Sequence, residues 1–295
     1  MKPNSITLTY LSKVSFASLN GSDKEVDNIG TIKKVTLANG DQLPYLSSQA
    51  VRRALRDKLQ ELGWELSPTD VGTEAKGAAK TAGEPATYID DDLFGYMDAA
   101  KSGTLVRTSP VRVESLLALS KYQDDLDFGT NYMSKASGGN PNIFETEIHS
   151  GIYRGTILIE LDRVGHEPEG RGGKAFELPA AERATRVLAL LDAFQTLWSS
   201  GRQSRFLADI SPKFVAAAWM KSKNPIFLEA VDVEPGTQHV NVAALRSVVS
   251  DYERFIEGSV LAAQAGVFAT GDEVQTLAAG FGTIRGWVNA YYGVS

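Results

Sequence analysis

An α+β fold is predicted for this chain by three observations. Short β-branched and aromatic runs alternate with two amphipathic helical stripes, in the order β, α, β, β, α, β, over residues 6 to 220. Two stretches rich in glycine and polar residues interrupt that order, and helical apolar spacing resumes in the tail. The order is that of a ferredoxin-like, or RRM-like, sheet carrying two insertions and C-terminal helices. With 295 residues, 43% of them hydrophobic, the chain can bury a sizeable core, as one large domain with insertions or as two smaller ones.

Residues 6 to 17 (ITLTYLSKVSFA) read as the first strand, broken at Asn20-Gly21. A polar stretch to Leu43 follows, with a hairpin turn at Ala38-Asn39-Gly40-Asp41. A helix then opens at Ser47-Ser48 and ends near Gly63, with Val51, Leu55, Leu59 and Leu62 on one stripe. From Ser67 to Thr87 few residues can anchor a core, and the composition predicts a mobile insertion. Tyr88 to Met97 forms a short ordered element, followed by a strand over 104 to 113. Residues 120 to 142 read as an extended hairpin or loop, with Phe128, Tyr132 and Met133 at intervals. Ile152 to Leu161 is a strand, ended by the Arg163-Val164-Gly165 turn. Pro179 starts the second helix, whose stripe is Val187, Leu190, Leu191, Phe194, Leu197 and Trp198, and Gly201 closes it. Arg205 to Met220 reads as one long strand bent at Pro212. The tail adds a helix over 243 to 257, capped by Asn241 with Leu245, Val248, Tyr252 and Phe255 on one face, and a last helix before Ser295.

Composition narrows the function classes. The formal charge of -6 argues against coating nucleic acid through bulk charge, so any such binding needs a local basic groove. No cysteine is present, which removes disulfides, thiolate metal sites and thiol nucleophiles. No apolar run is long enough to span a bilayer, so a cytoplasmic location without membrane association is expected.

The opening of the first helix carries the most chemistry. Either serine can cap the first-turn amides, whose dipoles sum to a partial positive charge, and Arg52, Arg53 and Arg56 lie on the surfaces flanking and opposite the apolar stripe. That combination forms a phosphate-binding corner, with an ordinary solvated amphipathic helix as the alternative. Lys33 and Lys34 either track phosphates or are simply solvated.

The chain resembles a known family, the backbone subunit of type I CRISPR surveillance complexes (Cascade) in its DevR-like branch. The carriers are Ser18-Leu19-Asn20-Gly21, Leu46-Ser47-Ser48-Gln49-Ala50-Val51-Arg52-Arg53, Arg107-Thr108-Ser109-Pro110, Glu147-Ile148-His149-Ser150-Gly151-Ile152-Tyr153 and Gly201-Arg202-Gln203-Ser204-Arg205. None is specific alone; the ordered set is. The resemblance implies an RRM-like palm (1–63, 104–111 and 148–295, with the C-terminal helices), a finger-like insertion (64–103) and a thumb-like hairpin insertion (112–147). It implies a non-catalytic, multi-copy protein that binds CRISPR guide RNA along its sugar-phosphate backbone and presents the bases to target DNA. The implied partners are the guide RNA, target DNA through it, further copies of the chain and other Cascade subunits, with no cofactor or metal.

On that mapping the RNA-binding residues are Asn20, Gly21, Ser47, Ser48, Gln49, Arg52, Arg53, Arg107, Arg202 and Gln203. Such donors at repeated spacing suit phosphate and 2′-hydroxyl contacts without base preference. Phe128, Tyr132 and Met133 either wedge between bases or pack the hairpin on its own palm. The strands lack an RNP1 aromatic platform, so the sheet face is not expected to stack bases.

Three other readings compete with this one. Asp90-Asp91-Asp92 is the best catalytic candidate, as the metal site of an endoribonuclease subunit, although consecutive aspartates chelate together only on a loop. No HExxH, nucleophile elbow or Walker loop accompanies His149, His166 or His239. A DNA-binding regulator would need a helix-turn-helix pairing, which is not visible, and a plain interaction protein would use the arginine helix on acidic partners.

Overall fold

The computed structural model describes residues 2–21, 29–69, 81–100, 103–131, 142–169, 174–199, 205–270 and 274–294. Its central strand, β1 (Ser5–Ala17), is buried on both faces from Ser5 to Ser12, which is why apolar and polar residues do not alternate cleanly there. β2 (Ile29–Gly30) is short, and β3 (Lys34–Thr36) and β4 (Gln42–Leu46) form the expected hairpin, with Gly40 at φ +88° in the turn. α1 (Ser48–Glu61) follows, its apolar stripe buried through Val51, Ala54, Leu55 and Leu59.

α2 (Ile89–Phe94) leads into β5 (Tyr96–Ala100) and β6 (Gly103–Arg107), which pair only with each other. Gly95 joins α2 to β5 at φ +67°, and a Cβ there would sit 2.2 Å from the Arg107 carbonyl oxygen, so no other residue fits. β7 (Val111–Val113), β8 (Leu116–Ala118), β9 (Leu126–Asn131), β10 (Asn142–Glu147) and β11 (His149–Glu160) come next. Beyond β12 (His166–Glu167) and β13 (Phe176–Glu177) lies α3 (Ala180–Gln195), and the chain ends with β14 (Phe214–Met220), α4 (Val242–Asp251), β15 (Ile256–Ala263), β16 (Gln275–Thr276) and α5 (Leu277–Tyr292).

The result is the α+β class expected. The main sheet runs β16-β15-β14-β1-β11-β8-β4-β3, with β7 also on β11. β1 pairs antiparallel with β11 from Ser5↔Glu160 to Val14↔Gly151, then bulges before Ala17↔His149. A second sheet, β2-β10-β9, stands apart from it.

Each face of the main sheet has its own core. On one, Ile6, Leu8, Tyr10 and Val14 of β1 meet Val51, Leu55, Val187, Leu190, Phe194 and Phe281 from α1, α3 and α5. On the other, Leu11, Phe214, Ala216, Ala218 and Met220 are covered by Phe227, Val231, Val240, Leu245 and Phe268. Burying a side chain of this size contributes about 1.5–3 kcal/mol. Among the described residues no helix is long and apolar enough to cross a membrane.

Three expected elements come out differently. The strand over 104 to 113 is two strands in different sheets, because Pro110 offers no N–H and Ser109 turns its hydroxyl to the Leu93 and Val111 carbonyls at 3.0 and 2.5 Å. The strand over 205 to 220 starts only at Phe214. Before it, the Asp209 carboxylate accepts from the Ser211 amide (2.9 Å), the Ser211 hydroxyl (2.6 Å) and Lys213 Nζ (2.6 Å), a local turn that competes with extended pairing. The helix over 243 to 257 stops at Asp251; Glu253–Phe255 is a 3₁₀ turn, and the next residues form β15, which pairs with β14. Arg112, Val113 and Leu116–Ala118, at the start of the 112–147 stretch read as the thumb-like insertion, lie in the main sheet against β11.

Candidate functional site

The site is built where the end of β1, the β2–β3 link and the start of α1 meet. After the bulge in β1 the chain turns at Asn20, whose side-chain Oδ1 accepts from the Ser47 amide at 2.9 Å and whose carbonyl accepts from the Lys33 amide at 2.9 Å. Gly21 bridges to Ile32, so three separate stretches of chain are tied at one point. Ser47 caps α1 in extended conformation, its hydroxyl accepting from the Ala50 amide at 3.4 Å. Gly21, Gln49 and Arg53 are exposed here, Arg53 with 71% of its side chain in solvent and its Nε 2.7 Å from Asp57.

A second set of contacts joins this corner to the β2-β10-β9 sheet. Glu147, at the end of β10, accepts from the Ile32 amide at 2.8 Å and from Lys34 Nζ at 2.7 and 2.8 Å. Lys34 also lies 4.1 Å over the Tyr122 ring. One residue earlier in β10, the Thr146 hydroxyl accepts from Arg205 Nη1 at 3.2 Å, and Arg205 also pairs with Asp127 and covers the Phe144 ring. Lys34 is therefore paired, and neither solvated nor presented to phosphate.

The remaining expected contacts divide sharply. Asn20 spends its acceptor on Ser47 and acts as a brace. Ser48 donates its hydroxyl to the Val113 carbonyl at 2.7 Å, and its amide donates to the Ser115 hydroxyl at 3.2 Å, clamping α1 to the β7–β8 link. Arg52 donates to the Phe94 carbonyl and Arg56 lies 4.7 Å over the Phe94 ring and 3.3 Å from Asp90, so both guanidinium groups hold α1 to α2. Burial first, and the charge of Arg56 second, lower the pKa of Arg52. Arg107 is withdrawn altogether: its side chain is 0% exposed and its guanidinium is divided between Asp92, Glu167 and the Arg163 and His166 carbonyls. Its place in the RNA-binding set is corrected to a structural one. Arg202, Gln203, Tyr132 and Met133 lie outside the described residues.

Phe128 is 61% exposed, on the β9 face shared with Leu126 and, across the ladder, Ile143. It does not pack the hairpin onto the rest of the protein. Phe144 on the opposite face does that, under Arg205 and against Gly129.

The aspartate triplet is interior. Asp90 accepts from the Ser67 amide at 2.9 Å, Asp91 from the Glu84 amide at 2.9 Å and Asp92 from the Gly165 amide, Arg107 and Arg186. All three are buried and each carboxylate is turned to a different partner, Asp91 keeping one oxygen unpaired among the described residues, so the triplet does not converge on a metal site. Among the described residues no group of three His, Asp or Glu side chains is placed to hold a metal ion.

His149 starts β11 opposite Ala17 at the end of β1, with Nδ1 2.7 Å from the Tyr153 hydroxyl. Burial lowers its pKa against a weaker opposing pull from Asp125. The unfolded chain takes up this proton near pH 6.5 and the folded one only at lower pH. Stability is therefore expected to fall as pH drops below about 6.5, and His149→Gln should flatten that part of a pH series of urea melts.

The CRISPR-associated negative auto-regulator DevR/Csa2 family model matches residues 10–234, more than half of the chain. A CRISPR-associated protein Cas7/Cst2/DevR from Myxococcus xanthus (strain DK1622) is 29% identical over 237 residues, covering 74% of this chain and 73% of that one. Among solved structures, a chain of a CRISPR RNA-guided surveillance complex, pre-nicking, superposes with a TM-score of 0.57 at 14% identity, covering 98% of this chain and 99% of that chain. A second CRISPR RNA-guided surveillance complex gives 0.53 at 16% identity, covering 98% of each. At such identities the two structures share the fold, and the sequence match supplies the kinship. The segments that carry the expected resemblance, from the Asn20 turn through the capped helix to Arg205, fall inside the matched residues, and the chain belongs to the CRISPR-associated DevR/Csa2 family.

Proposed function

We propose that this chain is a non-catalytic, multi-copy backbone subunit of a CRISPR effector, which grips guide RNA by its sugar-phosphate backbone and leaves the bases for pairing with target DNA. The single observation that carries the reading is the corner at Ser47, where Asn20 ties the glycine turn after β1 to the capped start of α1, with Gln49 and Arg53 exposed beside it. A helix N-terminus, an exposed amide side chain and one solvent-facing guanidinium suit phosphate and ribose without reading sequence.

In this reading β1, α1, β7–β8, β11, α3 and β14 form the RRM-like palm, with the helices on one face. Residues 64–103 are the finger-like insertion, and the thumb-like hairpin narrows to the stretch from Leu119 to Glu147. Phe128 on its open face is the group available to stack on or separate bases. Arg202 and Gln203 complete the grip, and further copies and other Cascade subunits are its partners.

The test is to express the chain with and without a CRISPR array and extract nucleic acid from the purified protein. RNA of discrete length, present only with the array and displaced by salt with a steep log–log slope, is the expected result. Protein free of RNA under those conditions, or one that binds only duplex DNA, refutes the proposal.

A further inference from the structure

We propose that Glu147 is a positioning residue: it connects the thumb-like sheet to the RNA-gripping corner, so that how the thumb is seated sets the geometry at the start of α1. This rests on the function proposed above, but the connection itself is mechanical and can be tested without RNA. The path is short and polar throughout. The Glu147 carboxylate takes the Ile32 amide and the Lys34 ammonium; the next amide along, that of Lys33, donates to the Asn20 carbonyl; and the Asn20 side chain takes the Ser47 amide.

Several features make this path stiff enough to carry a displacement. Ile32 is buried, and the Lys34 and Glu147 side chains are only 18% and 12% exposed, so water competes weakly for either. The Lys33 carbonyl also accepts from the Tyr45 amide at 3.0 Å, one residue before Leu46 leads into the cap, so the β3–β4 hairpin has a second hold on the same point. At the other end Glu147 lies opposite Leu126 in the β9–β10 ladder, and Phe128 pairs with Glu145 two residues away. A force on the open face of the hairpin therefore reaches Glu147 through a paired ladder. Thr146 and Asp127, held by Arg205, fix the same rungs from the side that precedes β14. A carboxylate accepting one amide and one ammonium from a neighbouring strand is more than a surface ion pair, since its loss strands a half-buried lysine and an amide together.

The experiment uses the full chain and three substitutions, Glu147→Ala, Asn20→Ala and the pair combined, with Glu147→Gln as the conservative variant. Amide hydrogen exchange is read at residues 29–33 and 47–50, and affinity is read with a labelled single-stranded guide RNA. In Glu147→Ala, exchange at 47–50 is expected to rise and RNA affinity to fall about tenfold, although residue 147 is remote from that turn in sequence. Asn20→Ala should produce the same two changes, the combined variant should be no worse than either alone, and Glu147→Gln, which keeps an acceptor for Ile32, should recover much of both. Where Glu147→Ala does not fold, Glu147→Gln and Lys34→Met carry the same comparison. Unchanged exchange at 47–50 overturns the connection, as does an additive combined variant. A wild-type chain that ignores RNA while exchange at 47–50 responds to Glu147→Ala overturns the function reading and upholds the mechanical connection.

Discussion

Asp92→Ala is expected to lower the unfolding free energy by about 3–5 kcal/mol, the range for breaking a buried ion pair from one side. The carboxylate is 0% exposed and accepts from Arg107 Nη2 at 2.5 Å, from Arg186 Nη1 at 2.9 Å and from the Gly165 amide at 2.9 and 3.0 Å. Those partners come from β6, α3 and the turn after β11, so one side chain on the six-residue α2 joins three parts of the fold. Removing it leaves two guanidinium groups in the interior. Arg107 keeps Glu167, and Arg186 keeps the Pro85 and Ala86 carbonyls and Glu182, which bounds the loss. Against a total of about 5–15 kcal/mol for a typical domain the change is large. Urea melts of Asp92→Ala and Asp92→Asn measure it, and a loss under about 1 kcal/mol in the alanine variant would show that the cluster is not holding α2 in place.

Arg53→Glu is expected to weaken guide-RNA binding about tenfold or more while leaving stability within about 0.5 kcal/mol, because among the described residues its only ion pair is a surface contact with Asp57. The slope of log affinity against log salt should shrink by about one, the signature of one lost phosphate contact. Arg52→Ala should do the reverse. Its guanidinium holds the Phe94 carbonyl, so the variant should lose about 1–2 kcal/mol of stability and keep the salt slope. Filter binding across a salt series, with melts of both variants, separates the two neighbours. Equal effects on RNA would contradict the division of labour between them.

That division was only half legible in the sequence. Helical spacing puts Arg52 on the flank of the stripe formed by Val51 and Leu55 and Arg53 opposite it, and nothing local says whether another element will cover the flank. The same holds for Arg107: it sits in a segment shared with the family, but its burial follows from where Asp92 and Glu167 arrive, 15 residues before it and 60 after it. β15 escaped notice because Leu245, Val248, Tyr252 and Phe255 continue a helical spacing past the point where the helix ends. Glu147 stood within a recognised segment without a role, since its partners Ile32 and Lys34 are more than 110 residues earlier. The opposite case is the cap of α1: that Ser47 or Ser48 supplies it is a matter of three residues and readable in the sequence, and the structure uses Ser47.

By itself the sequence determined whatever depends on near neighbours: the β1 strand, the hairpin at Gly40, the capped α1, the α3 stripe and, through ordered short segments, the family. The tertiary structure decided which charges remain in water. Strand and helix periodicity acts over a few residues, whereas the fate of a guanidinium depends on which distant carboxylate or carbonyl the fold brings within about 3 Å of it. Three arginines that look alike in sequence thus end as a surface group at 53, a brace at 52 and a buried tie at 107.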